Sequence, residues 1–195
     1  MGNFCACRRD EDPLINEYER KISRWEKSIG WQKINIIDLV TNIKKYSRDS
    51  VLNVNSFNLA CQVAKMVYAD MTNPKTSGGR FFSTLLMLNG DIFLEKELVI
   101  CALVLAMGSP QEKATELFQY YDKECNGNLT KQEVVDMFID YTSFVAVILP
   151  MISVGDVSME TVEWYQRGMA RNMSDVIEAL MEIVCPSGTS NLDLD

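Results

Sequence analysis

Between Asp122 and Glu133 the chain reads DKECNGNLTKQE, with oxygen-bearing side chains at nearly every second place. Counted from Asp122 as position 1, Glu124 stands at 3, Asn126 at 5, Gly127 at 6, Asn128 at 7, Thr130 at 9 and Glu133 at 12. A twelve-residue calcium loop needs oxygen ligands at 1, 3, 5, 7, 9 and 12, the seventh a backbone carbonyl, the ninth often through water and the twelfth a bidentate Glu. It also needs Gly at 6 for the sharp turn. Calcium takes 6–8 hard oxygens, so Asp122, Glu124, Asn126, Asn128, Thr130 and Glu133 are the expected ligands of one ion. Glu124 is longer than the Asp, Asn or Ser usual at position 3, which bears on affinity. Glu133 favours calcium over magnesium, because bidentate ligation suits the larger cation. Leu129, at position 8, is the apolar place where two paired loops meet as a short β-bridge.

The flanks must position this loop, and they read as helices. Ser109-Pro110-Gln111-Glu112 supplies an N-cap, a proline at the first helical place and a carboxylate able to reach back. Ala114, Leu117, Phe118 and Tyr121 follow at helical spacing. After the loop, Thr130 and Glu133 form a second capping pair ahead of Val134, Met137, Phe138 and Tyr141. The competing reading is a polar turn that merely holds three acids. The glycine, the closing Glu133 and the apolar Leu129 all match the calcium loop instead.

The chain has 195 residues, 47% of them hydrophobic, enough for one ordinary domain or two packed lobes. Its net charge of −8 argues against nucleic acid as a partner. It has no His, no nucleophile motif and no phosphate-binding glycine loop, so no enzyme is expected. Six Cys show no zinc spacing, and Cys61 and Cys101 lie in apolar helical runs as buried thiols of a reducing compartment. No secretory signal is present, and the longest apolar stretch (residues 144–154) is too short to span a bilayer and contains Pro150. The opening MGNFCACRR instead reads as a membrane address. Gly2 would take a myristoyl chain, Cys5 and Cys7 palmitoyl chains, and Arg8 and Arg9 would face anionic lipid. Ala6 departs from the Ser or Thr that the myristoylation pattern prefers.

Leu14, Ile15, Tyr18, Ile22, Trp25 and Ile29 mark an amphipathic helix ending at Gly30, expected to pack on the body because its polar face mixes acids with bases. A helix over 34–46 leads into residues 45–56, a decayed loop with Lys45 at position 1, Leu52 at 8 and Ser56 at 12. A linker over 70–80 and a short apolar helix over 81–88 precede a second decayed loop. Gly90 is placed there at position 6, Ile92 at 8 and Lys96 at 12, with Ile92 expected to pair with Leu129. A buried exit helix is expected over 94–107. Beyond the intact loop come a largely apolar helix over 134–149 and a helical pattern over 160–184. Where a fourth loop would fall, residues 169–177 carry no acids at ligand places. Met66, Met87, Met107 and Met137, taken singly, read as core.

Gly90-x-Ile92, the run Glu97-Leu98-Val99-Ile100, the Leu-Phe-x-x-Tyr-Asp entry to the loop, Asn73-Pro74-Lys75 and the Met-Gly-Asn start together resemble the EF-hand superfamily. Within it the chain is most similar to the neuronal calcium sensor, recoverin-like branch, which shares a framework with calcineurin B. Only the third hand is intact. The resemblance implies an all-α fold of four EF-hand (helix–loop–helix) units in two lobes, with short β-bridges between paired loops. It also implies an acylated segment over 1–12, an N-terminal lobe with two degenerate hands over 13–107, and a C-terminal lobe with one intact and one degenerate hand over 108–185. Residues 186–195 read as a disordered tail. Two functions remain open. One is a calcium sensor or regulatory subunit, peripheral on the cytosolic face of a membrane, that holds a target protein's helix in an apolar groove. The other is a constitutive structural or adaptor subunit in which the ion only stabilises the fold. Phe57, Phe81, Phe82, Phe138, Tyr141 and Phe144 are candidates to line the groove.

Overall fold

A computed structural model of the chain describes residues 26, 27, 29–64, 71–149, 175, 179 and 191–193. The described residues are mostly helical. In chain order they form α1 (Ile36–Tyr46), β1 (Val51–Leu52), α2 (Val54–Val63), α3 (Ser77–Leu88), β2 (Phe93–Leu94), α4 (Glu95–Leu105) and α5 (Pro110–Tyr121). Then follow β3 (Asn128–Thr130), α6 (Lys131–Ser143), a π-helical turn (Phe144–Ile148) and β4 (Asn191–Asp193). Of the amphipathic pattern over 14–29, only its end is described, where Ile29 is buried.

Side-chain caps start most of the helices. Asn35 Oδ1 accepts from the Ile37 N–H at 2.8 Å, and Asn53 Oδ1 from the Ser56 N–H at 2.9 Å. Thr76 Oγ1 accepts from the Gly79 N–H at 2.9 Å, so α3 opens four residues earlier than the apolar run from Phe81 suggests. The glycine is required there, because a side-chain carbon on Gly79 would collide with the Asn73 carbonyl. Both predicted capping boxes form, Ser109 with Glu112 and Thr130 with Glu133. Each such cap contributes about 1 kcal/mol.

Three helix–loop–helix units repeat one local plan among the described residues. In the first, Ser50 has a φ of 61°, Leu52 forms the bridge and Asn53 caps the exit helix. In the complete loop, Gly127 has a φ of 77°, Leu129 forms the bridge and Thr130 caps. In the second, Asp91 has a φ of 67°, Phe93 pairs with Leu52, and Leu94 stands at the N-cap place without a side-chain hydrogen bond. This corrects the sequence expectation by one residue: Phe93, not Ile92, takes position 8, and Glu97, not Lys96, takes position 12. Gly90 misleads because it too has a positive φ, 69°, and sits one place before the true turn.

The pairing of loops also differs from expectation. β1 pairs antiparallel with β2, and β3 pairs antiparallel with β4, with Leu129 opposite Leu192. Ile92 therefore does not pair with Leu129, and residues 191–193 of the expected disordered tail form a strand. Leu52 takes the place opposite Phe93, and residues 191–193 pair with the edge of the third loop.

The main core gathers the first two units, α4 and the π-helical turn around an aromatic cluster. The Phe82 ring stands 5.3 Å from Trp31, 5.1 Å from Phe81 and 6.4 Å from Phe93, and Phe57 is 4.9 Å from it. Phe57, Phe81, Phe82 and Phe144 are thus core residues rather than a groove lining, while Phe138 and Tyr141 are half-buried. α4 is buried on nearly every side, as expected from its composition. A second, smaller cluster of Phe118, Tyr121, Leu129, Val134 and Met137 supports the complete loop. Met137 is core, but Met87 and Met107 are 67% and 55% exposed, and Met66 lies outside the described residues. Phe82→Ala should remove the hub of the aromatic cluster and cost about 3–5 kcal/mol in urea unfolding. A loss below about 1 kcal/mol, a size more usual for a surface change, would contradict this packing.

Candidate metal centre

The complete loop is folded around one carboxylate. Asp122 ends α5 and is 8% exposed. Its Oδ1 accepts from the Asn126 N–H at 3.1 Å and its Oδ2 from the Gly127 N–H at 2.9 Å. Hydrogen bonds to a charged acceptor are each worth about 1.5–3 kcal/mol, enough to hold the turn closed. The path requires two left-handed residues, Cys125 at φ 51° and Gly127 at φ 77°, which glycine adopts without cost at the second.

Asn126 Oδ1 accepts from the Asn128 N–H at 2.8 Å, and Asn126 Nδ2 donates to Glu124 Oε2 at 3.1 Å. Glu133 Oε2 accepts from both the N–H and the hydroxyl of Thr130, each at 2.9 Å. In extended backbone the N–H and C=O of one residue point to the same side. The Asn128 and Thr130 N–H groups turn inward to Asn126 and Glu133, so the Asn128 carbonyl also faces the loop. Leu129 is left to face β4.

The six positions expected to hold calcium thus belong to one folded loop, and every donor is a hard oxygen. The donor chemistry suits a hard cation. The side chains themselves are engaged with each other: Glu133 caps α6, and Glu124 is bonded to Asn126. Among the described residues, no three His, Cys, Asp or Glu side chains converge into a ready cluster.

The Glu133 carboxyl lies below its ordinary 4.5 because the Thr130 N–H and then the Thr130 hydroxyl donate to it, with a lesser contribution from the Lys123 N–H. The nearby Asp122 charge pushes the other way, so the first and last carboxylates of the loop are within electrostatic reach.

Neither of the two other described loops has a carboxylate at position 1, and the first has Lys45 there and Ser56 at position 12. In the corrected register, positions 1, 3 and 5 of the second loop are Leu86, Leu88 and Gly90. Its surviving acid, Glu97, is buried and accepts from Asn89 Nδ2 at 2.6 Å. Burial raises the Glu97 carboxyl above its ordinary value, more than the Asn89 bond and Lys96 lower it.

A polar network absent from the sequence reading ties α6 to the rest. Asp140 accepts from Lys96 Nζ at 2.8 Å and from the Tyr121 hydroxyl at 3.0 Å. Burial, followed by the Asp140 charge, raises the Tyr121 hydroxyl. These residues border an open cavity of about 740 Å³ with Asp49, Glu95, Tyr120 and Asp136 on its walls. The only signal in the sequence was that Asp140 falls seven residues, two helical turns, after Glu133. Cys61 and Cys101 are buried as expected, and desolvation pushes the Cys61 thiol up to about 12, which removes thiolate reactivity. Gly2, Cys5, Cys7 and residues 169–174 and 176–177 of the fourth loop position lie outside the described residues. Among the described residues no helix is long and apolar enough to cross a membrane. No family model matches the chain, and no curated protein or solved structure matches it.

Two predictions follow from these carboxylates. A depressed carboxyl stabilises the fold above its unfolded value and loses that contribution as pH falls through the folded one. Calcium-free NMR titration should therefore give Glu133 a midpoint below 4.5. Thr130→Ala keeps the backbone donor and removes the hydroxyl, so it should return the midpoint part of the way and cost about 1 kcal/mol of stability. An unchanged midpoint in that variant would contradict the cap. Glu97 has the opposite sign: its raised value costs stability as pH rises above 4.5. Glu97→Gln should flatten that decline and leave the protein at least as stable at neutral pH, whereas a steeper decline in thermal melts would refute the assignment.

Proposed function

We propose that the chain is a calcium-binding protein of the EF-hand type, in which the 122–133 loop holds one ion and the other hands serve as scaffold. The observation that carries this reading is the closure of the loop on Asp122, whose two oxygens accept the Asn126 and Gly127 N–H groups. Asp122, Glu124, Asn126, the Asn128 carbonyl, Thr130 and Glu133 would hold the ion. Its charge would offset the mutual repulsion of three carboxylates in one turn. Glu133 would then have to give up Thr130, and Glu124 would have to turn from Asn126. Because Glu133 caps α6, ligand exchange at that side chain would act on the start of the helix.

The same reading places the protein on the cytosolic face of a membrane through acylation at Gly2, Cys5 and Cys7, with a target protein's helix as its partner. It includes a fourth, degenerate hand over 160–184. As a sensor, the protein would answer calcium by moving α6 and exposing apolar surface. A constitutive subunit is the second reading, and a specific observation favours it. Lys96 and Tyr121 both hold Asp140, tying α6 to α4 and α5, and most of the aromatic groove candidates are core residues.

Calcium titration of the non-acylated protein by calorimetry, with an apolar-surface dye alongside, tests both readings. One site is expected, lost in Glu133→Gln. Dye uptake on binding supports the sensor, and binding without uptake supports the constitutive subunit. No heat of binding in the unaltered protein would overturn the metal assignment.

A further inference from the structure

The first two loops pair with each other, but the complete 122–133 loop pairs with residues 191–193. β4 stands in register with β3, Asn128 opposite Asp193, Leu129 opposite Leu192 and Thr130 opposite Asn191. Two of the three β3 residues, Asn128 and Thr130, are expected ligand positions, and the third, Leu129, is fully buried. β4 also lies against α6, the helix that Glu133 caps. A three-residue strand with an open edge is marginal alone, so its partner decides how firmly the ligand positions are held.

We propose that β4 is a built-in partner strand for the calcium loop and that its backbone pairing opposite Leu129 sets the loop's affinity. The inference rests on the calcium reading above. β4 substitutes for the strand a second loop would lend, so the cation site is completed from more than 60 residues away in sequence. By fixing Asn128 and Thr130 from outside, it acts as an outer shell acts on metal ligands, where loss of one partner weakens binding about 10–100-fold. Release of the tail would then lower calcium affinity without altering any ligand.

The test compares calcium affinity by calorimetry in the full chain, in Leu192→Asp and in Leu192→Ile, with amide hydrogen exchange at Leu129 as a second readout. Leu192→Asp adds a negative charge near the site, so simple electrostatics would tighten binding. Loss of docking should instead weaken it by about tenfold or more, with faster exchange at Leu129. Leu192→Ile should keep both affinity and protection. Unchanged or tighter binding in Leu192→Asp overturns the inference alone. Failure of the unaltered chain to bind overturns the calcium reading and this inference together.

Discussion

Asp122 is a buried carboxylate at the end of a helix, and two backbone N–H groups at 3.1 and 2.9 Å are its partners. Those bonds turn the chain so that Asn126, Gly127 and Asn128 follow in a tight arc. The arc delivers β3 in the extended conformation, and the extended conformation makes Thr130 a cap. Thr130 and Glu133 then begin α6, whose Asp140 reaches Lys96 and Tyr121. A single charged acceptor thus governs the turn, the strand, the next helix and the tie to the main core.

The three described units show which parts of this plan are separable. The bridge residue and the left-handed turn persist in all of them, and a side-chain cap on the exit helix in the first and third. Carboxylates at the first positions persist in one. Apolar bridge residues are selected by burial, since Leu52, Phe93 and Leu129 are each at most 1% exposed. The first two units keep the turn and the bridge without those carboxylates, so a unit can lose them and still fold. The first two loops read as scaffold for this reason, not as weaker versions of the third.

Legibility in the sequence followed the range of the interaction. Local patterns were readable: both capping boxes, the 122–133 loop, the buried α4, the thiols of Cys61 and Cys101. Glycine as the turn marker places the second loop one residue too early, because Asp91, next to Gly90, also has the left-handed conformation and stands at position 6. Glu97 followed by Leu98, matching Glu133 followed by Val134, was the better guide. The pairing of Leu129 with Leu192 and the Lys96–Asp140 bond carry no local signature, since each joins residues far apart in the chain. Residue type alone makes the aromatics groove candidates, because it does not distinguish an inward from an outward face. The positions of Phe57 and Phe82 in the core are set by packing among four elements.

The most direct test of the account is amide NMR of the labelled full chain during calcium addition. The account predicts that the Gly127 N–H, already bonded to Asp122, shifts further downfield as that bond strengthens. The Thr130 N–H should change in the opposite sense as Glu133 leaves it, both saturating together at one equivalent. Amides that drift without saturating, with Gly127 and Thr130 no different from the rest, would contradict the claim that this loop is a cation site.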